Sequence, residues 1–406
     1  MMPRCDIISE LPEPLITKIL SCLPTKHSVK TSAMEESVAN LVISFFDRLL
    51  EFNPDLLLLK VKVKCGDMEI EGLKDRISTV IQRGTQHLDI EGCTYYIDPP
   101  YPNLSLRRTL VSLKLLSSGL EDPGFVSMPC LKSMTLVQVH FRDDVSLERF
   151  LSGCPLLEEL TLIRDKDSNF VGGVDRFMRV RSGSLRRFRV PPWYGKDCSS
   201  FVKCTIEIDA LGLEHMTLGE DQFGSIVVKN LDSLFMVDLD IKFVTRFGEF
   251  FDLGDLSKRN EIRYFFSGIS SVRHTIISEK TVKKAVFLSK LLQFLPAFLE
   301  CCPNLKHLIL EVYYSREEED AFELTDVPGC FLSTLECVQL KRIHEWEEEE
   351  MKVATYFLEN AAVLKKLTLS LTNYPRYVPD EEIFEEVNGV DKRSPTCQIL
   401  ADWDLC

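Results

Sequence analysis

Few residues in this sequence have the types and spacing that enzymatic chemistry requires. Residues 194–196 (YGK) resemble the end of a phosphate-binding loop, but Val190 stands where that motif needs its first glycine. His344 and Glu345 begin like a zinc-binding H-E-x-x-H helix, but no second histidine follows. No G-x-S-x-G nucleophile elbow is present. We therefore expect no catalytic residue, no metal site and no cofactor.

A group of arginines is the remaining candidate for a site. Guanidinium groups bind carboxylates and phosphates through paired hydrogen bonds, so the group could hold an acidic or phosphorylated partner. If the chain around Phe188 and Val190 forms a strand, alternation places Arg187 and Arg189 on its outward, concave face. The alternative is a solvated face that is partly paired with carboxylates. The arginines are Arg176, Arg179, Arg181, Arg186, Arg187 and Arg189.

Composition limits the classes of partner. The chain has 406 residues, of which 45% are hydrophobic and 27% charged, as in ordinary folded proteins. Its net charge of −14 repels nucleic acid and anionic membranes, so we expect neither as a partner. No apolar leader follows the first residues, and no uninterrupted apolar run is long enough to span a membrane.

The cysteines indicate a reducing compartment. The chain contains 14 of them, scattered and often in apolar surroundings, and no C-x-x-C pair occurs. A disulfide framework is the alternative, but buried free thiols fit this distribution better. We expect a cytoplasmic or nuclear protein.

The elements that would position any site come from a repeated motif. Residues 154–162 (CPLLEELTL), 302–310 (CPNLKHLIL) and 129–136 (PCLKSMTL) share the skeleton L-x-x-L-x-L. The last four positions alternate as a short strand does, and the first leucine tucks beneath the strand from the preceding turn. This pattern is typical of a leucine-rich repeat, although any alternating leucine-rich strand would produce parts of it.

The spacing of the copies supports repeats. Successive copies start about 21 to 38 residues apart, against about 20–29 residues for this repeat type, with the longest gaps around residues 240–300. The copies at Thr85 and Val272 are poor, since Thr275 takes an apolar position in the second. The first positions are Thr85, Leu110, Leu131, Leu157, Leu185, Leu213, Leu234, Val272, Leu305, Leu335 and Leu364. Helical stretches such as 146–151 should lie on the convex side.

A separate helical unit precedes the repeats. Leu15, Ile19, Leu20 and Leu23 fall on one face of a helix that Pro24 ends. The pattern alone predicts no more than a short amphipathic helix and the start of another.

The same residues resemble a known motif. Residues 8–26 (ISELPEPLITKILSCLPTK) are similar to the opening of an F-box, in the form found in plant F-box proteins with leucine-rich repeats. The resemblance implies docking onto a Skp-type adaptor of a cullin ubiquitin ligase. The implied docking residues are Leu11, Pro12, Leu15, Ile19, Leu20 and Leu23.

The sequence then departs from that family. After residue 32 an F-box continues with a basic, tryptophan-bearing helix, whereas this chain has 33–39 (AMEESVA) and no tryptophan before Trp193. The second half of the module and its linker are missing. Half of a three-helix module buries little apolar surface, so its independent stability should be low.

The last third carries a second resemblance. Residues 327–338 (VPGCFLSTLECV), an acidic run, 351–361 (MKVATYFLENA) and 364–369 (LKKLTL) are similar in order and spacing to the FBD region of the same plant family. The segment predicts a strand, an acidic loop, a helix and a strand, which amounts to one more repeat.

These observations predict an α/β fold, namely a leucine-rich-repeat solenoid shaped as a horseshoe with a short, partial α-helical F-box at its N-terminus. The expected domains are a partial F-box (1–33), a helical segment and cap (34–84), repeats (85–325), an FBD-like repeat (326–372) and a mobile acidic tail (373–406).

The resemblance implies the substrate-recognition subunit of a Skp–cullin–F-box ubiquitin ligase. Its partners would be a Skp-type adaptor, through it a cullin, and a protein target on the repeat surface. The alternative is a repeat-based binding scaffold that has lost ligase coupling, because its F-box is incomplete.

Overall fold

The structure is a computed structural model, and it describes separate stretches of the chain. The described residues are 59–64, 79, 82–91, 108–117, 119–120, 126–141, 144–163, 176–191, 204–219, 225–240, 263–278, 295–296, 298–311, 327–343, 346, 348–372 and 379–404.

Thirteen of the described strands form one parallel sheet, in which almost every strand pairs with the strands of the preceding and following repeats. Its strands are β1 (Lys60–Lys64), β2 (His87–Glu91), β3 (Ser112–Leu116), β5 (Ser133–Val137), β7 (Glu159–Ile163), β9 (Arg187–Val190), β11 (His215–Leu218), β13 (Met236–Leu239), β14 (His274–Ile277), β15 (His307–Glu311), β16 (Cys337–Ile343), β17 (Lys366–Thr372) and β18 (Gln398–Asp404). The others are β4 (Gly119–Leu120), β6 (His140–Phe141), β8 (Arg176–Arg181), β10 (Cys204–Asp209) and β12 (Ser225–Lys229).

A repeated backbone contact joins neighbouring strands at their starts. The carbonyl of Glu158, just before β7, accepts hydrogen bonds from the N–H groups of Arg186 and Arg187, both at 2.9 Å. The carbonyl of Arg186 in turn accepts from the N–H groups of the next repeat, including that of His215 at 3.0 Å. The same arrangement joins the repeats as far as β17, so the backbone sets the register of these strands.

The predicted leucine skeleton is confirmed. The Leu157 N–H donates to the Cys154 carbonyl at 3.1 Å, closing the turn that places Leu157 beneath the strand. The eleven first positions, from Thr85 to Leu364, are all buried, and so are the inward strand residues such as Leu160 and Leu308. A strand of the main sheet follows each of the eleven positions, including the poor copy at Val272, which leads into β14.

The layer behind the main sheet contains both helices and strands, whereas the sequence predicted helices there. Helix α1 (Ser146–Ser152) lies at the predicted place and buries Leu147 and Phe150. Residues 263–268 and 298–301 are also helical. Between them and α1, strands β8, β10 and β12 form a second parallel sheet, whose inward side includes Val180 and Ile206. This three-stranded sheet is a feature that the sequence analysis did not predict.

The segment similar to the FBD region forms the predicted strand, helix and strand, but residues 348–350 of the predicted acidic loop belong to the helix, and a short helix that was not predicted precedes the first strand. Helix α2 (Gly329–Ser333) precedes β16, and α3 (Glu348–Asn360) lies between β16 and β17. Buried aromatic rings connect the helices, with the ring centroids of Phe331 and Phe357 5.3 Å apart.

The expectation of a mobile tail from residue 373 is corrected by the structure. Helix α4 (Asp380–Asn388) buries Ile383 and Val387, which lie one turn apart on a single face. Strand β18 then pairs with β17 in parallel register over seven residues, from Gln398 to Asp404. The main sheet therefore continues beyond residue 372, where the FBD-like repeat was predicted to end and the tail to begin.

Two other expectations concern cysteines and membranes. The eight cysteines in the described stretches are free thiols, and the reducing compartment stays a prediction. None of the helices seen in those stretches combines the length and the apolar character of a membrane span.

The alternation of the strands gives a first test. Replacing Leu160 or Leu308 with aspartate forces a carboxylate among buried leucines, and we expect a loss of at least about 3 kcal/mol in unfolding free energy. Thr161→Asp, on the outward side, should change it by less than about 0.5 kcal/mol. Thermal melts of the three variants measure this, and equal losses at positions 160 and 161 would contradict the alternation.

The weak repeat at β14 gives a second test. Thr275 is 1% exposed, and its hydroxyl has no hydrogen-bond partner among the described residues. An unsatisfied buried hydroxyl is destabilising, so Thr275→Val should raise the unfolding free energy by about 1 kcal/mol. The matched control is Thr161→Val on the partly exposed side. Denaturant titration measures both, and a destabilised Thr275→Val protein would show that this hydroxyl is satisfied.

Candidate protein-binding face

The outward face of the main sheet is a regular surface to which thirteen described strands contribute. We define it by the first and third residues of the strands, which from β2 to β16 alternate with buried second and fourth residues. The third residues form one row, joined in register from β1 to β18 and largely polar. The row is Lys62, Asp89, Lys114, Thr135, Thr161, Arg189, Thr217, Asp238, Ile276, Ile309, Gln339, Thr368 and Leu400.

Strand β9 places the two predicted arginines on this face, in different situations. Arg187 donates from its Nε to Oε1 of Glu159 at 2.8 Å, so a neighbouring strand already neutralises it. Arg189 is exposed, between Thr161 and Thr217 in register. No ion pair or hydrogen bond involves its guanidinium in the described part of the chain. Arg189 is therefore the better placed of the two to meet an anion.

The other arginines do not belong to the same surface. Strand β8 carries Arg179 and Arg181 in the second sheet, where Arg181 pairs with Glu148 at 3.0 Å and with Asp209 at 3.2 Å. Arg186 lies before β9 and pairs with Glu214. The cluster seen in the sequence thus separates into two surfaces, and most of it is ion-paired.

Further ion pairs join the residues that precede the strands. Lys132 pairs with Glu158 at 3.0 Å, and Glu336 pairs with Lys365 at 2.8 Å and Lys306 at 3.6 Å. The hydrogen bond from Lys365 and the charges of both lysines lower the pKa of Glu336. These charged groups lie at the solvent-exposed surface, so their ion pairs contribute little to stability. They connect the turns of neighbouring repeats.

A second part of this face, on β13 to β15, was not predicted from the sequence. Here the third-position row becomes apolar, with Ile276 and Ile309 side by side and partly exposed. The rings of His274 and His307 stack next to them, with their centroids 4.3 Å apart and their planes at 18°. Strand alternation was the available signal, because an inward Thr275 requires an outward Ile276.

Carboxylates border this apolar part of the face. Asp238 precedes Ile276 in the third-position row, and Asp240 follows the end of β13. Burial, together with the charges of Asp240 and Glu311, raises the pKa of Asp238. Burial, and then the neighbouring His307, lowers the pKa of His274, so this imidazole is mostly neutral at pH 7.

Two buried cysteines of the described stretches have unreactive thiols. Burial raises the pKa values of the Cys154 and Cys330 thiols to about 12, so both stay protonated and are poor nucleophiles. Within the described ranges, no three His, Cys, Asp or Glu side chains come together in a way that could hold a metal ion.

Several residues singled out in the sequence lie outside the described residues. They are the adaptor-docking set Leu11, Pro12, Leu15, Ile19, Leu20 and Leu23, and the incomplete motifs at 194–196 and 344–345.

Two family models match the chain. The FBD model covers residues 323–369, which contain α2, β16, α3 and most of β17. A model described as the leucine-rich repeats of the FBD-associated F-box protein At5g56370 covers residues 73–232.

Whole-length relatives come from Arabidopsis thaliana. The chain is 48% identical to the FBD-associated F-box protein At5g27750, over 99% of this chain and 100% of that one. It is 47% identical to the F-box/FBD/LRR-repeat protein At1g13780, over 98% of each chain. It is 40% identical to the F-box/FBD/LRR-repeat protein At2g26030, over 98% of this chain and 99% of the relative.

The lengths of these alignments carry further information. The first spans 457 residues, although this chain has 406 and almost all of them are matched. The relative therefore contains internal residues that have no counterpart here. With relatives this similar along its whole length, the chain belongs to the plant F-box/FBD/LRR-repeat protein family.

Proposed function

We propose that this chain is the substrate-recognition subunit of a Skp–cullin–F-box ubiquitin ligase. The similarity along the whole chain to proteins named for the F-box, the FBD region and the repeats is the observation that carries the proposal. The chain would work by tethering, since holding a target near a ubiquitin-loaded enzyme raises its effective concentration without any catalytic residue of its own.

The adaptor would dock on the N-terminal helical unit, through Leu11, Pro12, Leu15, Ile19, Leu20 and Leu23. The proposed unit is incomplete, because the tryptophan-bearing helix expected after residue 32 is missing. The internal residues that the relatives have in addition support a deletion. Fewer buried anchors give less binding energy, and ordering half a module on binding costs further affinity.

The target would bind the outward face of the repeats. A sheet in which repeats pair with their neighbours in sequence supports the predicted solenoid, and the target face would be its concave side. Arg189 is exposed there, whereas Arg187 is held by Glu159. We propose that the chain acts in the cytoplasm or nucleus.

The second candidate is a repeat-based binding scaffold that has lost ligase coupling. The missing half of the F-box favours it, and the intact first half favours the ligase subunit. The two functions differ in whether the adaptor binds, while both use the repeat face.

Adaptor binding provides the test of this function. We expect a purified Skp-type adaptor to bind weakly, with affinity that is lost in Leu11→Asp and Ile19→Asp. Inserting the missing helix after Ser32 should strengthen binding at least about tenfold, or about 1.4 kcal/mol, because it restores apolar anchors. Calorimetric titration of the adaptor against each protein measures the change.

The outcomes separate the two candidates. Tight binding by the natural chain would show that the truncated motif suffices. The absence of binding by both the natural chain and the helix-restored protein would contradict the ligase proposal and leave the scaffold.

The arginines give a separate prediction. If Arg187 and Arg189 contact an acidic target, the double change to glutamate should abolish binding of an acidic phosphopeptide, with the melting temperature nearly unchanged. Arg189→Glu alone should account for most of the loss, because Arg187 is already paired. Lys114→Glu, in the same row on β3, is the matched control. Binding that is insensitive to salt would count against an electrostatic contact.

A further inference from the structure

Two neighbouring strands in the middle of the outward face carry apolar residues in the third-position row. The third-position row is polar or charged from β1 to β13, and on β14 and β15 it becomes Ile276 and Ile309. Both side chains are partly exposed. A pair of neighbouring isoleucines facing outward on a sheet leaves apolar surface that a partner could bury.

Strand β14 places a polar residue in the interior and an apolar residue on the outward face, which is the reverse of the arrangement that stability favours. Thr275 is buried without a hydrogen-bond partner among the described residues, whereas Ile276 faces outward. An isoleucine in the interior and a threonine on the outward face would be more stable. Such conflicts between local sequence and fold are concentrated at functional sites.

Aromatic rings extend the apolar surface toward the strand starts. Phe235 is 41% exposed, and its ring centroid lies 4.4 Å from that of His274. The His274 ring stacks on His307 at 4.3 Å. Two stacked imidazole rings and a phenyl ring tilted at 42° lie next to the two isoleucines, and they offer contact area with few mobile groups to immobilise.

Carboxylates define the other border. Glu311 pairs with Arg342 at 3.8 Å, and the Ser278 hydroxyl donates to Asp240. For Asp238, no hydrogen bond or ion pair involves the carboxylate within the described stretches. Asp238 and Asp240 are therefore the carboxylates of this border, and Glu311 is paired with Arg342.

The strand geometry sets the spacing between charge and apolar surface. Asp238, Ile276 and Ile309 are register partners on successive strands, which are about 4.8 Å apart. The two isoleucines therefore lie about 5 and 10 Å from Asp238 along the row. Residues i and i+2 of an extended segment are about 6.8 Å apart on one side, which fits this interval.

We propose that this patch, made of Asp238, Asp240, His274, Ile276, His307 and Ile309, docks an extended protein segment with a lysine or arginine two residues from an aliphatic side chain. The cation lies against Asp238 and Asp240, and the aliphatic group covers the two isoleucines. The inference rests on the proposed function, since it names the chemistry of a target segment on the repeat face. It differs from an acidic partner at Arg189, two strands away along the same row.

Selection from a random peptide library displayed on phage, against the full chain, tests the proposal. We expect enriched peptides to carry a basic residue two positions from leucine, isoleucine or valine. A synthetic copy of one such peptide should bind at least about tenfold more weakly to Asp238→Asn/Asp240→Asn and to Ile276→Thr/Ile309→Thr. Its affinity should also fall as salt rises, because the cationic contact is screened.

The matched control removes two carboxylates elsewhere on the face. Asp89→Asn/Glu91→Gln, on β2, should leave the affinity unchanged. Replacing the basic residue of the peptide with glutamine tests the same contact without altering the protein, in case a variant fails to fold. Enriched peptides without a basic residue, equal binding to the patch and control variants, or no enrichment would each overturn the proposal.

The adaptor titration is independent of this result. Adaptor binding together with failure of the peptide test would leave the ligase proposal standing and remove this patch. Peptide binding without adaptor binding would assign the patch to a scaffold.

Discussion

The backbone ladder between repeats is the interaction on which the rest of this structure depends. At the start of each main-sheet strand from β1 to β16, a carbonyl accepts two N–H groups from the following repeat, as Glu158 does from Arg186 and Arg187 at 2.9 Å. One such hydrogen bond adds only about 1 kcal/mol, but the series fixes the register of the sheet. A slip of one residue would exchange the buried leucines for the outward row, so register and burial enforce each other.

The same constraint determines what the outward face can present. Each repeat contributes its third strand residue to one row, so neighbours along that row come from segments distant in sequence. Asp238, Ile276 and Ile309 become adjacent in this way. Conversely, Arg181 and Arg187 are close in sequence but lie in different sheets. The register of the strands therefore decides which side chains a partner meets together on this face.

The repeats could be predicted from the sequence because their spacing and the buried leucine positions repeat along the chain. Elements outside the leucine pattern were harder to predict from the sequence. Residues 176–181 (RFMRVR) attract attention for their arginines, yet Met178 and Val180 alternate with them and are buried in the second sheet. The acidic segment 380–388 suggests a solvated tail, whereas Ile383 and Val387 give it one buried face. The β13–β15 patch could not be found from local pattern, since it exists only once the strands are in register.

The central claim is that this protein couples a target to a ligase through its N-terminal unit. Affinity purification of the tagged chain from plant cells, after reversible cross-linking to retain weak complexes, tests that claim most directly. We expect a Skp-type adaptor and a cullin to be recovered with the natural chain and to be lost when Leu11 and Ile19 are replaced with aspartate. Recovery of neither protein, or equal recovery with the natural and substituted chains, would contradict the account.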